Sequence, residues 1–129
     1  MKQTDKKKLI KVGEFSDKFN NLISANIPLL KIYCSKGLRT HLIKREHYSC
    51  LPYINAIPDI IENPDYIGIN PNENETTIEL IKVYNKNILI GIKLDADENY
   101  LYVSTMYELQ ESKLIRRLHS GRLKIYIDE

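Results

Sequence analysis

One edge of a predicted helix that begins near residue 38 carries side chains able to handle a phosphodiester. Four residues follow the i, i+3, i+4, i+7 spacing that places side chains on one helix face: His41, Lys44, Arg45 and Tyr48. Leu38 and Leu42 fall on the other side of the same helix. The pattern therefore predicts a helix that packs by its leucine edge and presents an imidazole, two cations and a phenol on the opposite edge.

Cleavage of RNA beside a 2′-hydroxyl group is a reaction that such side chains suit. The hydroxyl attacks the adjacent phosphate, so an enzyme must remove one proton, supply another to the leaving 5′ oxygen, and stabilise the added negative charge. An imidazole can make either proton transfer near neutral pH. Arginine and lysine supply fixed positive charge, and one preorganised donor lowers the barrier by about 3 kcal/mol. An aromatic ring can stack on an unpaired base.

The histidines also have simpler interpretations. A face of His, Lys and Arg on an amphipathic helix is more often a solvated surface than a site, and His47 is expected to be exposed. His119 lies beside Arg116, Arg117 and Arg122 near a predicted helix C-terminus, where the helix dipole favours cations. A structural role for His119 is therefore favoured, although it is the best candidate for a second catalytic or RNA-contacting histidine.

The length and charge of the chain limit the class of protein but do not identify a ligand. The chain has 129 residues, 43% of them hydrophobic and 28% charged, which is typical of one globular domain. The net charge of +2 does not by itself indicate a nucleic-acid-binding protein. Charge is unevenly distributed, since 38–48 is basic whereas 55–79 holds six acidic residues and no Lys or Arg. A nucleic acid would have to dock on the basic side.

Other signals exclude several classes of site. The N-terminal segment lacks the apolar stretch of a signal peptide and no run has the length of a transmembrane helix, so we expect a cytoplasmic protein with no membrane contact. Cys34 and Cys50 are expected to be free thiols in a reducing compartment. Residues 95–106 lack the central glycine and final glutamate of a calcium loop. With no zinc spacing either, the sequence predicts no metal and no cofactor.

Local patterns predict helices first and strands later. Ser16 and Asp17 can cap a helix that runs to about residue 23. An apolar segment over 29–33 reads as a strand or connector. Two central helices are predicted to follow, one from residue 38 and one over 50–62, which Pro58 should kink or divide.

From residue 66 the hydrophobic period changes to two, which predicts strands at 66–69, 76–84, 87–94 and 100–106. Their short connections indicate an antiparallel meander. A short basic helix over 111–118 and a closing strand over 123–127 complete the chain. The expected fold is α+β in one domain, 1–129, with two to three N-terminal helices packed on a four-stranded antiparallel meander and a short C-terminal helix.

Three short motifs resemble the phage and prophage branch of the barnase, EndoU, colicin and RelE-like nucleases, the BECR fold. They are H-L-I-K-R at 41–45, I-P-D-I-I-E-N-P-D-Y-I at 57–67 and V-S-T-M-Y at 103–107. The resemblance covers about 33–118. It implies a small metal-independent ribonuclease, often of the toxin kind, with two helices packed on a four-stranded sheet.

The resemblance also implies roles for individual residues. It places the helix histidine at His41, its basic partners at Lys44 and Arg45, and a hydroxyl pair at Ser104 and Thr105. We expect His41 to act as general acid or base, the two cations to clamp the phosphate, and a hydroxyl to position it. The residues expected to contact the rest of the substrate are Tyr48, Tyr107, Lys93, Arg39 and His119.

The resulting hypothesis is a metal-independent endoribonuclease that acts on RNA, with a phage or prophage toxin role and an immunity or antitoxin protein as partner. One alternative is a non-catalytic RNA-binding or phage-associated interaction module on the same fold. Another is a protein-interaction domain that uses the acidic stretch 55–79. The enzyme needs His41 and a fixed cation, the RNA binder tolerates His41→Gln, and the interaction domain tolerates both losses.

Overall fold

Short apolar segments along the chain form one seven-stranded sheet and its helices, which a computed structural model describes over residues 9–126. The strands in that range are β1 (Leu9–Glu14), β2 (Lys31–Ser35), β3 (Tyr66–Ile69), β4 (Ile78–Val83), β5 (Asn87–Asp95), β6 (Tyr100–Glu108) and β7 (Leu123–Ile125). The α-helices of the same range are α1 (Asp17–Ile23), α2 (Leu38–Lys44), α3 (Ile57–Glu62) and α4 (Glu111–Ser120). A 3₁₀ segment spans Tyr48–Ala56.

The sheet shows that the predicted fold class, helices followed by a four-stranded meander, is wrong. The strand order is β1-β2-β6-β5-β4-β3-β7. Strands β3 to β6 are antiparallel neighbours, but the antiparallel pair β1–β2 extends the sheet beyond β6 and β7 extends it beyond β3. The sheet is mixed because β2 runs parallel to β6. These added pairings join segments far apart in the sequence, which periodicity cannot reveal.

The helices follow the local signals of the sequence. Ser16 caps α1 as predicted, and its Oγ accepts a hydrogen bond from the Lys18 amide at 3.1 Å. The predicted helix over 50–62 is divided, because Pro58 stands in the first turn of α3, where its missing N–H is not needed. Gly121 ends α4 with a φ of 86°. Among residues 9–126 no helix has the length and apolar run needed to cross a bilayer.

The face of the sheet that packs against α1, α2, α3 and the 3₁₀ segment is the core face. Ile88, Ile90 and Ile92 of β5 point to it and are at most 1% exposed. They share one apolar cluster with Leu42 of α2 and Ile60 of α3. The alternating isoleucines of β5 therefore face the helices, whereas Leu94 near the end of the strand is exposed.

The opposite face, the α4 face, is covered at one end by α4. Leu89 of β5 and Ile81 of β4 are paired in register and are fully buried. They pack with Leu114 of α4 and with Leu109 and Leu123. Because α4 covers only this apolar end, the next rows of the α4 face are free to carry polar side chains.

Candidate active site

A polar row crosses the α4 face beside the apolar patch. Thr105 of β6 is paired with Gly91 of β5, and Gly91 with Glu79 of β4. A register shift after Gly91 places Ser104 beside the same glycine, and the Ser104 hydroxyl donates to the Gly91 carbonyl at 3.2 Å. A Cβ at Gly91 would lie 2.8 Å from Thr105 Cγ2 and 3.2 Å from Thr77 Cγ2. The glycine therefore lets two threonines meet across β5.

Glu79 is the most buried charged group of this row, at 1% exposure. Arg122, which precedes β7, binds its carboxylate with two groups, Nη2 at 2.9 Å from Oε2 and Nε at 3.3 Å from Oε1. Arg117 of α4 approaches from the other side, with Nη1 at 3.8 Å from Oε1. Two guanidinium groups thus share one carboxylate, which leaves this corner of the sheet positively charged.

Lys93, one row further along β5, is held by two acids of the β3–β4 connection. Its Nζ lies 3.0 Å from Glu73 Oε1 and 3.7 Å from Glu75 Oε1. The hydrogen bond with Glu73 raises the pKa of Lys93. Burial raises the pKa of Tyr102, the register partner of Lys93 on β6. This part of the α4 face therefore contains a lysine that is ion-paired with two glutamates and lies beside a half-buried tyrosine.

His47 lies where α2 meets the edge of β6. Glu46 adopts a φ of 60° just after α2, and the His47 amide donates to the Leu42 carbonyl at 2.9 Å. The His47 ring is half-buried, with Nδ1 3.0 Å from the Met106 carbonyl oxygen and a centroid 6.2 Å from that of Tyr107. A carbonyl oxygen can only accept, so Nδ1 carries the proton and the neutral ring has its lone pair on Nε2.

The two halves of the predicted site belong to different layers. Five predicted residues on or just after α2 are exposed, while the helix is anchored by its buried leucines as the spacing predicted: Arg39, His41, Lys44, Arg45 and Tyr48. Ser104, Thr105, Tyr107 and Lys93 lie on β5 and β6 instead. The His47–Met106 hydrogen bond connects the end of α2 with β6, between Thr105 and Tyr107. His119 is exposed in the last turn of α4.

Sequence reasoning missed His47 and the cluster around Glu79. The run I-E-L-I at 78–81 contains the signal for Glu79, because a charge inside an apolar strand must be paired if it is buried. Arg122 gives no comparable signal. For His47 nothing in the spacing helps, since the left-handed Glu46 ends α2 and turns the next residue toward β6.

The site offers acid, base and cationic groups rather than a ligand set for a metal. Within residues 9–126 no three His, Cys, Asp or Glu side chains are grouped so that they could hold a metal ion. Burial raises the pKa of both Cys34 and Cys50 to about 11, so both are thiols at neutral pH. Neither cysteine is therefore a ready thiolate nucleophile.

Comparison with known proteins identifies a family for the chain. No curated protein and no solved structure matches the chain. A family model described as phage-Barnase-EndoU-ColicinE5/D-RelE like nuclease 3 matches residues 10–116, from β1 into α4. This stretch is most of the chain and contains His47, the polar row and the three motifs of the resemblance, so the chain belongs to this family of phage-type nucleases.

Proposed function

We propose that the protein is a metal-independent endoribonuclease that cleaves RNA by attack of a 2′-hydroxyl on the adjacent phosphate. The observation that carries the proposal is the His47 ring, which is held at Nδ1 by the Met106 carbonyl and has no hydrogen-bond partner at Nε2 within residues 9–126. Family membership supports the nuclease part of the proposal. We infer the RNA substrate from the imidazole, which suits a reaction that begins with a 2′-hydroxyl proton.

In this mechanism the 2′-hydroxyl proton moves to His47 Nε2 as the oxygen bonds to phosphorus. The bond from phosphorus to the 5′ oxygen breaks, and that oxygen takes a proton from a second group. His41, to which the family resemblance points, and Tyr107, beside His47, are the two candidates for this acid. The products are a 2′,3′-cyclic phosphate and a 5′-hydroxyl end.

Cations near His47 stabilise the charge that develops on the phosphate. We propose Arg45 and Lys44 for this role, because they are exposed at the end of α2, two and three residues before His47. The hydroxyls of Ser104 and Thr105 lie on β6 just before Met106, which accepts the His47 bond. In this proposal the residues named from the resemblance supply charge and position, and His47, which the prediction did not include, is the base.

The test is cleavage of a mixed RNA pool in excess EDTA by wild type, His47→Asn and His41→Asn. Asparagine at 47 can still donate to the Met106 carbonyl but has no counterpart of Nε2. We expect His47→Asn to lower the rate by about 10²- to 10⁴-fold with an unchanged thermal midpoint, and wild-type products to end in cyclic phosphates. A wild-type rate for His47→Asn would contradict the assignment.

Two other results would redirect the proposal. Loss of cleavage in His41→Asn alone would make His41 the base, as the resemblance implies. Intact RNA that is bound at low salt by the wild type would favour the non-catalytic RNA-binding module.

A toxin role in the cytoplasm, opposed by an immunity or antitoxin protein, is the biological setting we infer from the phage-type family. Growth arrest on expression of the wild type, absent with His47→Asn, is the expected result. Growth arrest by both proteins would separate toxicity from cleavage.

A further inference from the structure

A basic groove that the cleavage mechanism does not use runs along α4 to its C-terminal end. It has a volume of about 640 Å³ and lies between α4, the residues that precede β7, and Pro71 of the β3–β4 connection. Four cations line it: Lys113, Arg116, Arg117 and Arg122. The described residues that line it include no carboxylate.

Two of the four cations are fixed in place. The side chains of Arg117 and Arg122 are only 18% and 15% exposed, and both approach the buried Glu79 carboxylate. Arg117 Nη1 is buried and has no hydrogen-bond acceptor among the described residues. A single carboxylate under four cations leaves the groove with excess positive charge.

Arginine groups held in this way suit phosphate. The planar guanidinium matches two phosphate oxygens, and an arginine already fixed by packing loses little conformational freedom on binding. Lys113 and Arg116 are exposed on α4 and can close on a ligand from the solvent side. A pocket for a neutral or cationic ligand would not be lined in this way.

The groove lies on the same sheet face as the polar row. Glu79 of β4 is separated from Thr105 of β6 by one strand, so the two positions are roughly 10 Å apart at about 4.8 Å per strand. We propose that the groove binds backbone phosphates of the RNA strand on one side of the cleaved bond. This inference rests on the proposed function for the identity of the strand, but it concerns binding rather than cleavage.

Binding of a fluorescent single-stranded 2′-O-methyl RNA tests the groove without any cleavage. The double variant Lys113→Gln/Arg116→Gln removes two exposed cations and leaves the Glu79 contacts intact. Its matched control is Lys31→Gln/Lys36→Gln, which removes the same charge from two exposed lysines on and just after β2. Three strand spacings separate β2 from β4, which carries Glu79, a distance of roughly 14 Å at about 4.8 Å per strand.

We expect the double variant to raise the dissociation constant about 10-fold at low salt. The slope of log K against log salt should fall by about 1.4, since each lost contact with single-stranded nucleic acid accounts for about 0.7. The control Lys31→Gln/Lys36→Gln should change neither value. An unchanged slope in the double variant, equal losses in both variants, or no binding by the wild type would overturn the proposal.

The same assay separates this inference from the nuclease proposal. If the protein cleaves no RNA but the double variant binds it more weakly, the groove is an RNA-binding site and the nuclease proposal is wrong. If cleavage depends on His47 but the double variant binds RNA normally, the nuclease proposal holds and the groove is not an RNA-binding site.

Discussion

Two basic regions of this chain contain the same residue types and differ in how they are held. On α2, Lys44 and Arg45 stand on an exposed helix edge. At the α4–β7 corner, Arg117 and Arg122 are mostly buried and share the Glu79 carboxylate. A charge pattern on a helix predicts which side chains are exposed to solvent. A charged residue within an apolar strand predicts a buried charge that must be paired with a group of opposite charge.

The largest effect expected from this difference is on stability. Glu79→Gln leaves two guanidinium groups without their counter-charge, and breaking a buried ion pair in this way should lower the free energy of unfolding by about 3–5 kcal/mol. Arg45→Gln, on the exposed edge of α2, should stay within about 0.5 kcal/mol. Urea denaturation measures both, and equal midpoints for the two variants would show that the corner is held no more firmly than α2.

A smaller effect is expected where acids neutralise Lys93. Glu73→Gln/Glu75→Gln should change stability by less than about 1 kcal/mol, because both glutamates are exposed. Without Glu73 the pKa of Lys93 falls toward its ordinary value, but the lysine stays charged at pH 7. The Lys93 ammonium group can then contact one phosphate of the RNA. Affinity for the 2′-O-methyl strand should therefore rise several-fold.

The control for that variant is Glu62→Gln, which removes one exposed acid from α3 in the layer against the core face. It should leave affinity unchanged. Equal gains in both variants would mean that only the overall charge of the protein matters and that Lys93 has no particular place in binding.

Much of the fold could be predicted because its signals are local. The alternation of Ile88, Ile90 and Ile92, the cap at Ser16 and the glycine that ends α4 each fix one element without reference to the rest. The fold class was wrong because the two extensions of the sheet depend on pairings that local patterns do not encode. β7 is also only three residues long and its predicted end at 127 lies outside the described residues.

The candidate site was predictable in its residue types and less so in its arrangement. The spacing correctly predicted the buried leucines of α2, but the helix ends at Lys44, so Tyr48 lies in the 3₁₀ segment and not on the predicted helix edge. It could not show that His47, rather than a residue on that edge, contacts β6, because this contact depends on one left-handed residue after the helix. The apolar run around Glu79 held a signal that charge counting overlooked.

The parallel pairing of β2 with β6 also bears on how the chain folds. Its two registered pairs, Ile32 with Leu101 and Tyr33 with Tyr102, lie roughly 70 residues apart in sequence. Bringing them together closes a long loop, whereas β3 to β6 are joined by short connections that close quickly. The β1–β2 pair should therefore dock late in folding and open early, so its amides should exchange hydrogen faster than those of β4 and β5.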